Sequence, residues 1–378
     1  MPTTTGTTGA SIQEYFTTVT DPRVDRTKLH LLLDILVMAI CAVICGADSW
    51  VEMEAYGRAK EKWLRQFLAL PNGIPSHDTF ARVIARLKPE ELQECFLRWM
   101  QAVSEVTQGE VVAIDGKTLR RSFDRAVGKS AIHMVSAWAS ANRVVLGQQK
   151  VDEKSNEITA IPALLQLLEL KGCIVTIDAM GCQKAIAQTI IKQEADYVLT
   201  LKANHGLLYE EVQRFFAWAQ QRQFADVPHQ YYHTVDGQHG RGEERRYWMV
   251  SDLAWLTAKS EWAGLQSLGM VERQRTVAGK TTVEVHYYLT SLAGSGQQFG
   301  EAVRTHWSVE NGLHWVLDVA FQEDQSRIRR DHAAENFAVL RHLALSLLRQ
   351  EATCTHGIKV KRLKAALDED YLTRVLLT

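Results

Sequence analysis

The chain carries almost no excess of charge: 43 Lys and Arg against 44 Asp and Glu leave a formal −1 over 378 residues. A uniformly basic surface is therefore excluded, and any site for a polyanion must come from local clusters of Lys and Arg. Long apolar runs are missing as well. The most hydrophobic stretch, residues 35–45, lies between Asp34 and Asp48 and falls short of the ~20 residues a membrane span needs, so it reads as a buried helix. The six cysteines (Cys41, Cys45, Cys95, Cys173, Cys182, Cys354) form no C-x-x-C pair and sit mostly in apolar runs. That excludes a disulfide framework and fits reduced, buried thiols in a cytosolic protein. Residues 1–10 have neither a basic n-region nor an apolar h-region and read as a floppy tail. No internal repeat or further low-complexity segment occurs. What is present is apolar material: 46% hydrophobic content is ample for packed cores, and the length suits two or three domains.

Residues 11–108 show helical spacing throughout, from Leu29 to Ile44 and again through Trp50, Met53, Tyr56, Trp63 and Phe67. After the break at Pro71-Asn-Gly73, Ser76 or Asp78 can cap a helix that carries Arg82 and Arg86 four apart on one face. This shape suits helix-turn-helix DNA recognition; an αα-hairpin packed on the core is the alternative.

At Glu110 the period changes from helical to alternating. Val111 to Leu119, Ile132 to Ala139 and Arg143 to Val151 read as three strands, followed by a helix over 157–170, a strand over 173–178, a helix over 183–193 and a strand over 195–202. The β-β-β-α-β-α-β order predicts a mixed α/β sheet with strand–helix–strand crossovers over 109–206. Residues 207–295 read as a β-rich insertion after a helix near Leu207 to Gln223. Helices return over 296–350, and 351–378 form a tail with the basic residues Lys359, Lys361, Arg362 and Lys364, a cluster that by itself is more often a solvated face.

Two predicted strands end on carboxylates, Asp115 and Asp178, and ligands of open α/β sheets bind beyond strand ends. A third carboxylate, Glu310, sits in residues 304–324. There His306, Glu310 and His314 recur every four positions, so one helix would bear all three on a face, with Trp307, Leu313, Trp315, Leu317 and Phe321 burying the segment. On that helix alone, a core with one satisfied Glu is an open reading, and a zinc site is weak because the His-Glu-x-x-His order is absent. Asp318 lies to one side. Glu323 and Asp324 read as solvated partners of Arg327 at the helix end. Three clustered carboxylates need a counter-charge, and two Mg²⁺ or Mn²⁺ ions that bind carboxylate and phosphate oxygens supply it. Paired carboxylates for glycoside hydrolysis fit poorly with the basic surroundings of Asp115.

Five segments carry a resemblance: Ile114-Asp-Gly-Lys117, residues 154–162, Thr176-Ile-Asp-Ala179, residues 196–204 and residues 306–318. They resemble the DDE insertion-sequence transposases of the ISAs type, the group that includes the H-repeat-associated proteins beside Rhs elements. Residues 21–52 resemble the domain in front of that core, so the likeness spans nearly the whole chain. It implies a ribonuclease-H-like domain with Asp115, Asp178 and Glu310 as the D, D and E that hold metal. It implies cleavage at transposon ends followed by 3′-hydroxyl strand transfer into target DNA. It further implies DNA as partner, a homodimer that pairs two ends, and a bacterial cytoplasmic, DNA-associated protein. Candidate DNA contacts are Arg82, Arg86, Lys117, Arg120, Arg121, Lys184, Lys202, Arg304, His306, Arg327, Arg329 and Arg330. The superfamily signature Tyr-x2-Arg-x3-Glu-x6-Lys is not kept, because Val303, His306 and Leu317 hold the other three positions. A DNA-binding relative that does not cut, or a structure-selective nuclease on the same fold, remains the alternative.

Overall fold

Helix Ala333–Gln350 is buried on almost every side, from Ala333 to Leu348, its polar Asn336, Arg341, His342 and Ser346 included, so other elements must enclose it. In this computed structural model, which describes residues 12–103, 108–123, 128, 130–151, 156–238 and 241–377, that helix is the hub of one of two compact units. The unit comprises residues 1–105, 116–154 and 310–378; the other comprises 106–115 and 155–309. The expected tail over 1–10 lies outside the described residues.

In the first unit the hub helix packs against helices Leu32–Ile44, His77–Arg86 and Pro89–Val103 and against strand β3 (Val144–Val151). Strand β3 pairs antiparallel with β2 (His133–Ala139). Some of the polar groups that enter this core bond to main-chain carbonyls. Asn336 Nδ2 donates to the carbonyls of Ile84 and Leu87 at 2.7 and 3.0 Å, covering orphan acceptors at the end of helix His77–Arg86. Ser76 caps the start of that helix, its hydroxyl accepting from Thr79 N. The last stretch, read from the sequence as a basic tail, forms helices Ile358–Leu367 and Glu369–Leu377. Lys361 and Arg362 of its basic cluster are buried rather than solvated. Lys361 donates to the Leu348 carbonyl at 2.7 Å, and Arg362 Nη2 donates to the Val43 carbonyl at 2.9 Å.

The second unit is organised on a mixed sheet. β1 (Val111–Thr118, whose residues through Asp115 belong here), β4 (Ile174–Ile177) and β5 (Asp196–Leu201) run parallel. The crossover from β4 to β5 is helix Lys184–Lys192, as a parallel pair requires. Beyond β5 the sheet turns antiparallel through β9 (Lys280–Thr290), β8 (Ser267–Val277), β7 (Arg241–Val250) and β6 (Gln230–Gln238). The strands expected as a β-rich insertion therefore continue the mixed sheet edge to edge through the β5–β9 pairing. Helix Gly296–His306 covers one face, with Phe299, Ala302 and Val303 set into a core of Ile174, Val198, Tyr247, Met249, Val271 and Tyr288. Gly269 permits that approach, because a methyl group there would stand 2.2 Å from Phe299 Cζ. Among the described residues no helix is long and apolar enough to cross a membrane.

Candidate active site

The parallel register fixes the first two carboxylates. Ile114 pairs with Ile177, the last residues of the β1–β4 ladder, so Asp115 and Asp178 are the next residues on adjacent strands, where neighbouring chains run ~5 Å apart. Alternation along a strand puts Thr176 and Asp178 on one face, and Ala113, paired with Thr176, shares it with Asp115. Helix Gly296–His306 covers that same face, since Thr176 Oγ1 and His306 Nδ1 lie 2.9 Å apart. The sequence thus places two acids at one end of the sheet, beside the end of a packed helix.

Asp178 is half-buried. Its Oδ1 accepts from Met180 N at 3.0 Å and Gly181 N at 3.4 Å, a local turn that orients the carboxylate. Among the described residues no hydrogen bond reaches Oδ2 and no ion pair is made by Asp178. Burial pushes the neighbouring His306 down to about 4, although the Asp178 charge and a bond from Thr176 oppose the shift. The imidazole is therefore neutral at pH 7 and gives Asp178 no counter-charge. The following loops are pinned together: Asn204 Nδ2 donates to the Ala179 carbonyl at 2.9 Å, and the His205 ring meets the Cys182 carbonyl at 2.5 Å. Lys202, exposed just past the end of β5, shares this end of the sheet. Of the other expected DNA contacts in this unit, Lys184 pairs with Glu261 and Arg304 with Asp236 at 2.9 Å.

The single helix expected over 304–324 is not formed. Helix Gly296–His306 ends at His306, Glu310–His314 takes a π-helical turn, and Trp315–Ala320 resumes the α-helix. A π turn spaces its bonds five residues apart, so the face expected through His306, Glu310 and His314 does not persist. Glu310 and Gly312 begin the part of this segment that belongs to the first unit. Trp307 and Trp315, expected to be buried, are 57% and 59% exposed, whereas Leu313, Leu317 and Phe321 are buried. Glu310 is exposed. Gly312 faces Trp138, where a methyl would stand 3.0 Å from Cζ2.

A second correction concerns Glu323. Expected as a solvated partner of Arg327, it is 3% exposed and pairs with Lys117 at 2.9 Å and Arg341 at 4.0 Å. Burial alone would raise its pKa, but the charges of Lys117, Arg341 and His342 hold the carboxyl below its ordinary value. Lys117 also meets Asp318 at 2.5 Å. Its charge is committed inside the unit rather than offered to phosphate. Asp324 pairs with Arg120 at 3.2 Å, not with Arg327. Sequence reading had no signal for the pairs of Lys117 and Arg120, whose acids lie about two hundred positions away.

The first unit also gathers basic residues from distant stretches. A groove of about 950 Å³ is lined by Lys150, Arg327, Arg329, Arg330, His332 and the Ala81 face of helix His77–Arg86. His332 N donates to the Ala85 carbonyl at 3.1 Å, tying the 327–332 segment to the helix that bears exposed Arg82 and Arg86. Arg329 donates to the Arg121 carbonyl at 2.8 Å and stacks on Phe123. Lys150 escaped sequence reading, because a lone lysine in a strand carries no pattern.

Residues 107–347 match the family model described as Transposase DDE domain, and residues 13–100 match the one described as DDE_Tnp_1-associated. The chain is 42% identical to "Putative transposase YncI" of Escherichia coli O157:H7, over 97% of this chain and 94% of that one. It is 40% identical to "H repeat-associated putative transposase YhhI" of Escherichia coli K12, over 97% of each. Among solved structures, a piggyBac transposase in a synaptic complex with hairpin DNA aligns with 93% of this chain and 75% of that chain, at 11% identity and a TM-score of 0.41. The matched model spans well over half of the sequence: the chain belongs to the DDE transposase family.

Proposed function

We propose that this transposase hydrolyses a phosphodiester at the ends of its element and joins the freed 3′-hydroxyl to target DNA, with Asp115, Asp178 and Glu310 holding Mg²⁺ or Mn²⁺, two ions in all. The observation that carries the reading is the register that sets Asp115, inside β1, beside Asp178, just past the end of β4. The donor set fits a hard divalent cation: oxygen ligands, one of them without a described protein donor, and a neutral imidazole, His306, beside Asp178. When bound, such a pair of ions activates the attacking oxygen and stabilises the leaving one. The chain's own task is to hold carboxylates still. The β1 and β4 ladders fix two of them, and Glu310 follows the end of helix Gly296–His306 by four positions.

Regions 109–206 and 296–350 form the catalytic domain in this reading, with 207–295 as its insertion and 11–108 as the reader of DNA ends. Arg82, Arg86 and the Arg327, Arg329, Arg330 groove supply phosphate contacts, which provide most non-specific affinity. A homodimer holds two ends together. An assay with element ends tests the whole scheme: Asp115→Ala and Asp178→Ala abolish cleavage and strand transfer while end binding persists. Cleavage by either variant near the wild-type rate sinks the assignment, and binding without cleavage by the wild type favours the non-cutting alternative.

A further inference from the structure

Beside the resumed helix Trp315–Ala320, within the first unit, lies a cavity of about 520 Å³ whose walls include Trp315, Val319, Arg143, Arg349, His356 and Lys359. Its volume falls in the range that small ligands occupy. Trp315 presents a large aromatic surface to it while 59% exposed, an arrangement a packed core would not leave. Its cations are unusual in having no acid to neutralise them: among the described residues Arg143, Arg349 and Lys359 form no ion pair. Glu351, the acidic wall residue, is already engaged by Lys361 and by Thr353 N at 2.8 Å. Arg349 is fixed in place, donating to the Gly312 carbonyl at 2.6 Å and lying over the Trp138 ring. Burial and the nearby Arg143 charge push its pKa down to about 10, so two like charges are held close together. Arg143 itself sits at the turn between β2 and β3 with φ +56°, a left-handed conformation uncommon for a side chain of its size.

We propose that this cavity binds one nucleotide of single-stranded DNA, its base stacked on Trp315 and its phosphate between Arg143 and Lys359. The inference rests on the reading of the chain as a DNA-processing enzyme and adds a place where an unpaired strand is held. Uncompensated cations beside an exposed aromatic are the combination that single-strand sites use, a backbone funnel next to a stacking platform. A duplex offers no unpaired base face and is left to the Arg327–Arg330 groove.

The test uses the full chain carrying Asp178→Ala, with fluorescence anisotropy of a labelled short oligothymidylate and of a labelled blunt duplex. Trp315→Ala should weaken oligothymidylate binding roughly 5- to 100-fold while Trp315→Phe retains most of it. Arg143→Ala should lower the salt slope by ~0.7 on the single strand, and neither change should move duplex affinity more than about twofold. Both residues are exposed, so the variants are expected to fold, which a thermal melt checks. Oligothymidylate binding unchanged in both variants overturns the cavity, as does equal loss on duplex and single strand. If the parent chain binds neither DNA, the DNA-processing reading itself fails and the cavity assignment with it.

Discussion

Asp178 and Glu323 are both carboxylates in a family that works with carboxylates, and their surroundings treat them in opposite ways. Asp178 closes a strand, is oriented by two backbone amides and has no cation beside it among the described residues. Glu323 is sealed at 3% exposure between Lys117 and Arg341. The first site leaves negative charge uncompensated and calls for a ligand that brings positive charge; the second is already neutralised and has only a structural task. Residue type does not separate them, and neither does position along the chain. The partner does.

The contrast breaks most visibly if charge is removed from one acid of each kind, the proposed metal ligand Glu310 and the sealed Glu323. Glu310→Gln should remove metal-dependent cleavage and leave folding intact, because Glu310 is exposed. Glu323→Gln should do the reverse in kind, costing about 3–5 kcal/mol in a denaturant titration by leaving Lys117 and Arg341 buried without their shared acid. A loss under ~1 kcal/mol would mean that Glu323 behaves as a surface pair.

That second outcome is what sequence reading expected, and the reason for the error is physical. Helical and alternating periods report which face of an element is apolar, and they located the strands well: β1, β4 and β5 were read within a residue or two of Val111–Thr118, Ile174–Ile177 and Asp196–Leu201. Asp178 follows the end of β4 as the local pattern predicts, whereas Asp115, expected to close its strand, lies inside β1, which runs on to Thr118. The π turn at Glu310–His314 was not legible, since an apolar period of three and four residues looks the same whether or not one extra residue is inserted. Nor was the burial of Glu323, which pairs with Lys117, remote in sequence, and with Arg341 on a different helix. The basic cluster at Lys361 and Arg362 failed likewise, because carbonyl acceptors inside a core leave no trace in composition.

A smaller effect sharpens the buried side of the comparison. Burial pushes His314 and His342 down to about 4, each from an ordinary value of 6.5. Between these values the unfolded chain takes up protons that the folded one refuses, so stability is full above pH 6.5 and falls as pH drops toward 4. The slope is at most about 1.4 kcal/mol per pH unit for each histidine. The carboxyl of Glu323, held below its ordinary value, adds loss only at lower pH still. Urea titrations at pH 7 and pH 5 measure this; equal stability at the two would show that these rings are not buried neutral.

The smallest effect belongs to the ion pairs on the antiparallel part of the sheet, where Arg246 meets Glu244 at 2.6 Å and Glu272 at 2.7 Å with its side chain 35% exposed. Arg246→Ala should cost less than about 1 kcal/mol, and a loss as large as that of Glu323→Gln would erase the distinction between sealed and solvated charge.

Most direct of all is a Mn²⁺ titration followed by electron paramagnetic resonance on the intact chain and on Asp115→Asn and Asp178→Asn, which keep side-chain shape and remove charge. The account predicts that each substitution weakens Mn²⁺ binding at least ~10-fold, a difference of about 1.4 kcal/mol, while Glu323→Asp, which keeps the buried charge, binds Mn²⁺ as the parent does. Parent-like Mn²⁺ affinity in both Asn variants would contradict a metal site where the β1–β4 ladder ends.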